Sequence, residues 1–169
     1  MGIAEKKLLL KTRVAIGIVI AGLIVSGITA FPLETELAWI LKTGTYPGCM
    51  EKWLTTIYNA ISDTNKRYPY LSYGTDWLAF AHLVLAVVFI GPSRHPVKNI
   101  WVIQFGIIAC VAIIPLAFIA GSIRGIPFFW QLIDCSFGVI GIIPLYFSYR
   151  ATRKLEQLYF ERGIIIANI

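Results

Sequence analysis

Three ionisable side chains in this sequence lie at the end of, or inside, long apolar stretches: Asp76, His82 and Asp134. A carboxylate and an imidazole that face each other can exchange a proton or act as acid and base. Such groups are costly in hydrocarbon unless they are paired, hydrated or neutralised, so they are candidates for function by default. The chemistry that these side chains could perform is therefore proton exchange or the recognition of a polar group.

Four apolar stretches must position these side chains. Of the 169 residues, 57% are hydrophobic and only 14% are charged, a composition that does not fit a water-soluble globule. Each stretch has the length of about 20 residues that a hydrocarbon core requires. We predict an all-α integral membrane protein whose four transmembrane helices form an antiparallel bundle, at residues 14–31, 75–91, 99–121 and 127–149.

The first stretch follows a basic segment, a pattern that retained membrane helices share with cleaved signal peptides. Ala30 is a small residue of the kind found at a cleavage site. The apolar run is long for a signal peptide, however, and Pro32 would follow the cut almost directly. We therefore expect a retained helix, with the signal peptide as the alternative.

The longest connection, residues 32–74, is predicted to form a cap that contains one or two amphipathic helices. A short helix is expected within 34–41, and a second at 50–62, before a turn-rich segment at 62–69. The second helix presents its apolar side chains on one face: Trp53, Leu54, Ile57 and Ile61. Helices of this kind lie in the membrane interface, where Trp39 would be a further aromatic anchor.

The distribution of basic residues predicts the orientation of the helices. Ten Lys and Arg side chains lie in the N-terminal segment, the 92–98 loop and the basic tail at 150–169, against five on the opposite side. An excess of Lys and Arg marks the cytoplasmic side. We predict one multi-pass membrane domain, 1–169, in a bacterial inner membrane, with both termini cytoplasmic and the cap extracytoplasmic.

This topology brings the polar residues to similar heights in the outer half of the bundle. His82 lies about 9 Å deeper than Asp76, and Asp134 lies about 10 Å inside the fourth helix, at 1.5 Å per residue. Arg124 is on the connection between the third and fourth helices. We predict a ligand or proton site that contains Asp134 and His82, with Asp76 and Arg124 near its entrance.

Small residues support an inward position for Asp134. Asp134, Gly138 and Gly141 share one stripe of the fourth helix, and glycines in membrane helices mark close helix contacts. On the first helix, a row of small residues that includes Gly22 and Ser26 is expected to receive a neighbouring helix.

Each candidate residue also has a structural interpretation. Asp134 could form a local pair, and His82 could donate a hydrogen bond to a backbone carbonyl. Asp76, at a helix N-terminus, would interact with the helix dipole. Arg124 would contact lipid phosphate groups.

We expect a non-enzymatic binding, accessory or scaffold protein that holds a lipid-like molecule or a partner helix in the outer half of the bundle. The alternatives are a proton-coupled transporter or carrier centred on Asp134 and His82, and an enzyme that acts on lipid headgroups at the outer face. Membrane lipids and a membrane protein, including a second copy, are the expected partners. No catalytic motif, metal site, cofactor or nucleic-acid partner is expected, and the three cysteines form no CxxC motif.

Overall fold

The computed structural model describes residues 2–164. This part of the chain contains helices and no strand. The elements are α1 (Ile3–Ala30), α2 (Leu33–Thr43), α3 (Gly48–Arg67), a short 3-10 helix (Pro69–Leu71), α4 (Tyr73–Val88), α5 (Ile90–Arg94), α6 (Ile100–Ile123) and α7 (Phe128–Glu161).

Four helical stretches of the described residues are long and apolar enough to cross a membrane: Ile3–Ala30, Pro69–Arg94, Ile100–Ile123 and Phe128–Glu161. The prediction of a helical, multi-pass membrane protein is thereby confirmed. The bundle arrangement and the interfacial position of α2 and α3 stay predictions.

The helices α1 and α7 are longer than the spans predicted for them. They contain 28 and 34 residues, which correspond to roughly 42 Å and 51 Å at 1.5 Å per residue. A hydrocarbon core is only about 30 Å thick. Both helices therefore extend beyond the apolar layer, and the basic tail is helical as far as Glu161.

The contacts within the chain divide it into two compact units. The first unit contains residues 1–21 and 86–169, and the second contains residues 22–85. The helices α1 and α4 each contribute to both units.

In the first unit, α6 and α7 form an antiparallel hairpin. Gly106 of α6 faces Leu145 of α7, while nearer the connecting turn Gly121 faces Gln131. The turn contains Gly125 at a φ of 68°, a conformation that suits glycine. Pro127 then lies at the N-cap position, directly before α7.

The core of the first unit lies where α1 meets the C-terminal part of α7. Leu9 of α1 packs with Leu155 and Tyr159 of α7, and Val97 covers this cluster. The buried residues of α7 recur at intervals of three and four: Leu145, Ser148, Thr152, Leu155 and Tyr159. The same spacing on α1 buries Glu5, Leu9, Thr12 and Ile16. Such spacing places each set on a single helix face, and Glu5 and Leu9 of α1 contact Leu155 and Tyr159 of α7.

In the second unit, α2 and α3 pack as neighbours. The Asn65 side-chain amide donates a hydrogen bond to Glu34 at 2.6 Å, and Leu37 and Leu54 are buried. The turn expected at 62–69 begins later than predicted, because α3 continues to Arg67. An ion pair of 3.0 Å between Asp63 and Arg67, one helical turn apart, supports this extension.

The small-residue contact of the second unit differs from the predicted one. A Cβ at Gly27 would lie 2.9 Å from the Ala79 carbonyl oxygen, so α1 and α4 approach closely there. Gly22 has no neighbour within 4 Å of such a Cβ, and Ser26 is exposed. The contact therefore uses the face of α1 that carries Gly27. The spacing of small residues in the sequence did not distinguish this face from the face of Gly22 and Ser26.

Candidate functional site

Asp134 lies near the tip of the α6–α7 hairpin. We call residues 110–138, the half of the hairpin nearest its turn, the hairpin tip. Asp134 is six residues into α7, or about 9 Å along the helix axis, and its side chain is half-buried. Phe137, a large apolar side chain one helical turn further along α7, is exposed.

The glycine stripe next to Asp134 faces α6. A Cβ at Gly138 would lie 2.5 Å from the Cys110 carbonyl oxygen, and one at Gly141 would lie 2.9 Å from the Cys110 sulfur. The prediction that these glycines mark a close helix contact is therefore confirmed. Asp134, one helical turn before Gly138, lies beside this contact.

The carboxylate of Asp134 has no partner within residues 2–164. It forms no hydrogen bond and no ion pair with the residues described there. Arg124 belongs to the same unit, is exposed, and ends α6 through its backbone N–H, which donates to the Ala120 carbonyl. The local pairing proposed as the structural interpretation of Asp134 is therefore not formed with Arg124.

His82 has a local partner. Its Nδ1 lies 2.8 Å from the Leu78 carbonyl oxygen, four residues earlier in α4. Because a carbonyl oxygen only accepts, Nδ1 donates this hydrogen bond. The structural interpretation of His82, a hydrogen bond to a backbone carbonyl, is confirmed.

Asp76 occupies the first turn of α4 and is half-buried. Its backbone N–H donates to the Ser72 carbonyl at 3.1 Å. A carboxylate in this position interacts favourably with the helix dipole, as expected.

The four predicted site residues fall in different units. Asp134 and Arg124 belong to the first unit, and Asp76 and His82 to the second. A site shared by Asp134 and His82 stays a prediction.

The predicted cap residues lie on α2 and α3 of the second unit. Trp53, Ile57 and Ile61 are half-buried on one face of α3, beside the buried Leu54, as the periodicity predicts. Trp39 of α2 is exposed.

A polar cluster that the sequence did not reveal joins the N-terminal part of α1 to the C-terminal end of α7. Glu5 is buried, and its carboxylate accepts hydrogen bonds from the Tyr159 hydroxyl at 3.2 Å and the Arg162 guanidinium at 3.1 Å. The Gly2 backbone N–H also donates to Glu5. One sequence feature could have indicated this cluster: Glu5 is the one acidic residue within an otherwise basic segment.

No group of three or more His, Cys, Asp and Glu side chains in the described part of the chain could hold a metal ion. All three cysteines are free, with Cys110 in the hairpin contact. Comparison of the chain with protein families, with curated proteins and with solved structures found no match.

Proposed function

We propose that this protein is a non-enzymatic accessory or scaffold protein of the membrane, which holds its partner at the hairpin tip. The observation that supports this proposal is the half-buried Asp134 carboxylate, which has no hydrogen-bond or ion-pair partner among residues 2–164. An ionisable group within an apolar helix is costly without a partner, and proteins retain it where it is used.

The partner must bring a polar group to the depth of Asp134. A lipid-like molecule carries its hydrogen-bond donors mainly at the headgroup level, whereas Asp134 lies about 9 Å into the helix. A transmembrane helix can present a Ser, Asn, Lys or Arg side chain at any depth, and such interhelical hydrogen bonds stabilise membrane assemblies. Of the two expected partners, a helix with a donor side chain fits this position better.

The exposed surface around Asp134 suits such a helix. Phe137, three residues after Asp134 and therefore on the same side of α7, is 66% exposed. It gives an apolar surface beside the carboxylate. A helix that packs here would cover apolar side chains and supply the missing donor in the same contact.

Site-specific photo-crosslinking in native membranes tests this proposal. A photoreactive residue at position 137 should give a discrete adduct, because it lies three residues after Asp134 and therefore on the same side of α7. Asp134→Leu should abolish the adduct, and Asp134→Asn, which keeps a polar amide, should retain part of it. The control is a photoreactive residue at position 147, where Phe147 is 65% exposed near the middle of α7; its adducts should not respond to Asp134→Leu.

The size and behaviour of the adduct distinguish the alternatives. A product of twice the 18.9 kDa chain would identify a second copy as the partner. An adduct of lipid mass would identify the lipid-like molecule instead of a helix. If the adducts at position 137 are unchanged by Asp134→Leu while Asp134→Asn abolishes proton-driven uptake in proteoliposomes, the carrier function replaces the scaffold function.

A further inference from the structure

The structure brings three basic segments that are distant in sequence to one end of the first unit. We call this region the basic end: residues 3–16 of α1, residues 90–99 around α5, and residues 148–164 of α7 and its C-terminal turn. Arg162 contacts Glu5, and the Arg13 guanidinium donates to the Ser93 carbonyl at 3.3 Å. Val97 packs on the Leu9 cluster, so all three segments meet.

This region carries all the net positive charge of the protein. It contains ten basic and three acidic side chains, a net charge of +7, while the rest of the chain has five basic and six acidic side chains, a net charge of −1. All ten basic residues are exposed: Lys6, Lys7, Lys11, Arg13, Arg94, Lys98, Arg150, Arg153, Lys154 and Arg162. Glu5, in contrast, is buried. In the sequence these charges belong to three separate segments, but the fold brings them together at the basic end.

Aromatic side chains locate this charge at the depth of lipid headgroups. Trp101, just after Lys98, is 60% exposed, and Tyr146 is 47% exposed. The Arg150 guanidinium donates to the Tyr146 hydroxyl at 3.0 Å and lies 5.8 Å from the centre of its ring. Exposed Trp and Tyr at the end of an apolar span mark the membrane–water interface.

From this arrangement we infer that the basic end is a binding surface for anionic phospholipid headgroups. Charge complementarity favours a phosphate-bearing partner, and the neighbouring aromatic side chains favour one held in the interface over a soluble acidic polypeptide. Clusters of Lys and Arg next to a membrane span attract anionic lipids by about a factor of five for each charge near the surface. This surface is separate from Asp134 and does not depend on the partner proposed there.

Lipid binding to the full chain in a neutral detergent tests this inference. Native mass spectrometry would count the lipids bound during titration with phosphatidylglycerol and with phosphatidylcholine of the same acyl chains. The unmodified protein should bind phosphatidylglycerol at least about fivefold more tightly. Raising the salt concentration from about 0.05 M to about 0.5 M should reduce this preference, because the exposed charges are screened.

Two triple variants with the same change in charge provide the comparison. Lys6→Gln, Lys7→Gln and Lys11→Gln, made together, should reduce the phosphatidylglycerol preference at least about fivefold. The matched control replaces three exposed lysines of the second unit by glutamine (K42Q, K52Q and K66Q) and should leave the preference unchanged. Circular dichroism confirms that both variants are folded.

Equal affinity for the two lipids, or equal losses in the two triple variants, would overturn the inference. So would salt-sensitive binding of soluble polyglutamate that depends on Lys6, Lys7 and Lys11 without any preference between the lipids, because that result would assign the surface to an acidic polypeptide.

Discussion

The basic end and the hairpin tip lie at opposite ends of α7. They differ in whether their carboxylate has a partner within the described part of the chain. At the basic end, the buried Glu5 carboxylate is held by Tyr159 and Arg162. At the hairpin tip, the half-buried Asp134 carboxylate has no partner in the described part of the chain. One region pairs its carboxylate internally, and the other leaves its carboxylate without a partner among residues 2–164.

The two regions also differ in which side chains they bury. Around the basic end, the side chains of Ile16, Ile103 and Leu155 are completely buried. In the hairpin tip, the buried residues are Gly121, Gln131 and Gly138, and the large apolar side chains point outward. We infer that the packed interior of the basic end maintains the fold, while the hairpin tip offers a surface for a partner helix.

The variant with the largest expected loss of stability tests whether close packing of α6 and α7 also holds the hairpin tip together. Gly138→Ala places a Cβ against the rigid Cys110 carbonyl, so α6 and α7 must separate at a cost of about 3 kcal/mol. Gly141→Ala meets only the movable Cys110 sulfur and should cost about 1 kcal/mol. The free energy of unfolding in mixed micelles measures both.

Gly22→Ala is the control for that pair, because a Cβ there meets nothing within 4 Å. It should cause no loss of stability. Equal stability of the Gly138→Ala variant and the unmodified protein would show that the tip is loosely packed.

Removing the internal partner of the basic end should have the next largest effect. Glu5→Ala removes three hydrogen bonds and leaves Arg162 without its carboxylate partner, at a cost of about 2 kcal/mol. Glu161→Ala is the control, since Glu161 is exposed and forms no ion pair among residues 2–164. If both variants unfold with the same free energy, the Glu5 cluster does not stabilise the basic end.

Three buried hydroxyl groups show that the pairing at the basic end is incomplete. The hydroxyls of Thr12, Ser148 and Thr152 have no hydrogen-bond partner in the described region. Thr152→Val keeps the shape of the side chain and removes an unpaired polar group, so it should stabilise the protein by about 1 kcal/mol. The exposed Thr55, replaced by valine, should leave stability unchanged; a loss at Thr152 would instead reveal a partner such as water.

The smallest expected effect concerns pH and the second unit. Hydrogen bonds from Asn65 and Ser62 hold the pKa of Glu34 below its usual value of 4.5. A folded-state pKa below the unfolded one gives stability that is present above pH 4.5 and is lost as the pH falls through the folded pKa. Thermal unfolding between neutral and acidic pH should show this loss, and Asn65→Ala should diminish it. An identical pH profile in the variant would remove Glu34 as its cause.

The four membrane spans and α3 were predictable from the sequence, because each shows a clear pattern of apolar residues. The four spans and the amphipathic face of α3, with Trp53 and Ile57, follow directly from hydrophobicity and the 3.6-residue repeat. The helical tails of α1 and α7 lacked that signal, since their buried faces combine Glu5 and Thr12 with Leu9. Packing of Leu9 against Leu155 and Tyr159 joins these two tails.

The candidate site was predictable in part. The stripe of Asp134 and Gly138 was visible in the spacing, whereas the hydrogen bond of His82 to Leu78 was one of several alternatives that the sequence allowed. The pairing of Glu5 with Tyr159 joins residues 154 positions apart, and no local pattern encodes such a contact.

The central claim, that Asp134 is reserved for an external partner, is tested most directly by Asp134→Leu. In the purified protein without a partner, this variant should be more stable by roughly 1–3 kcal/mol, because it removes an unpaired carboxylate from an apolar helix. In native membranes, the same variant should lose the adduct formed at position 137. A purified Asp134→Leu variant that is less stable than the unmodified protein would show that Asp134 is paired within the chain, and would contradict the account.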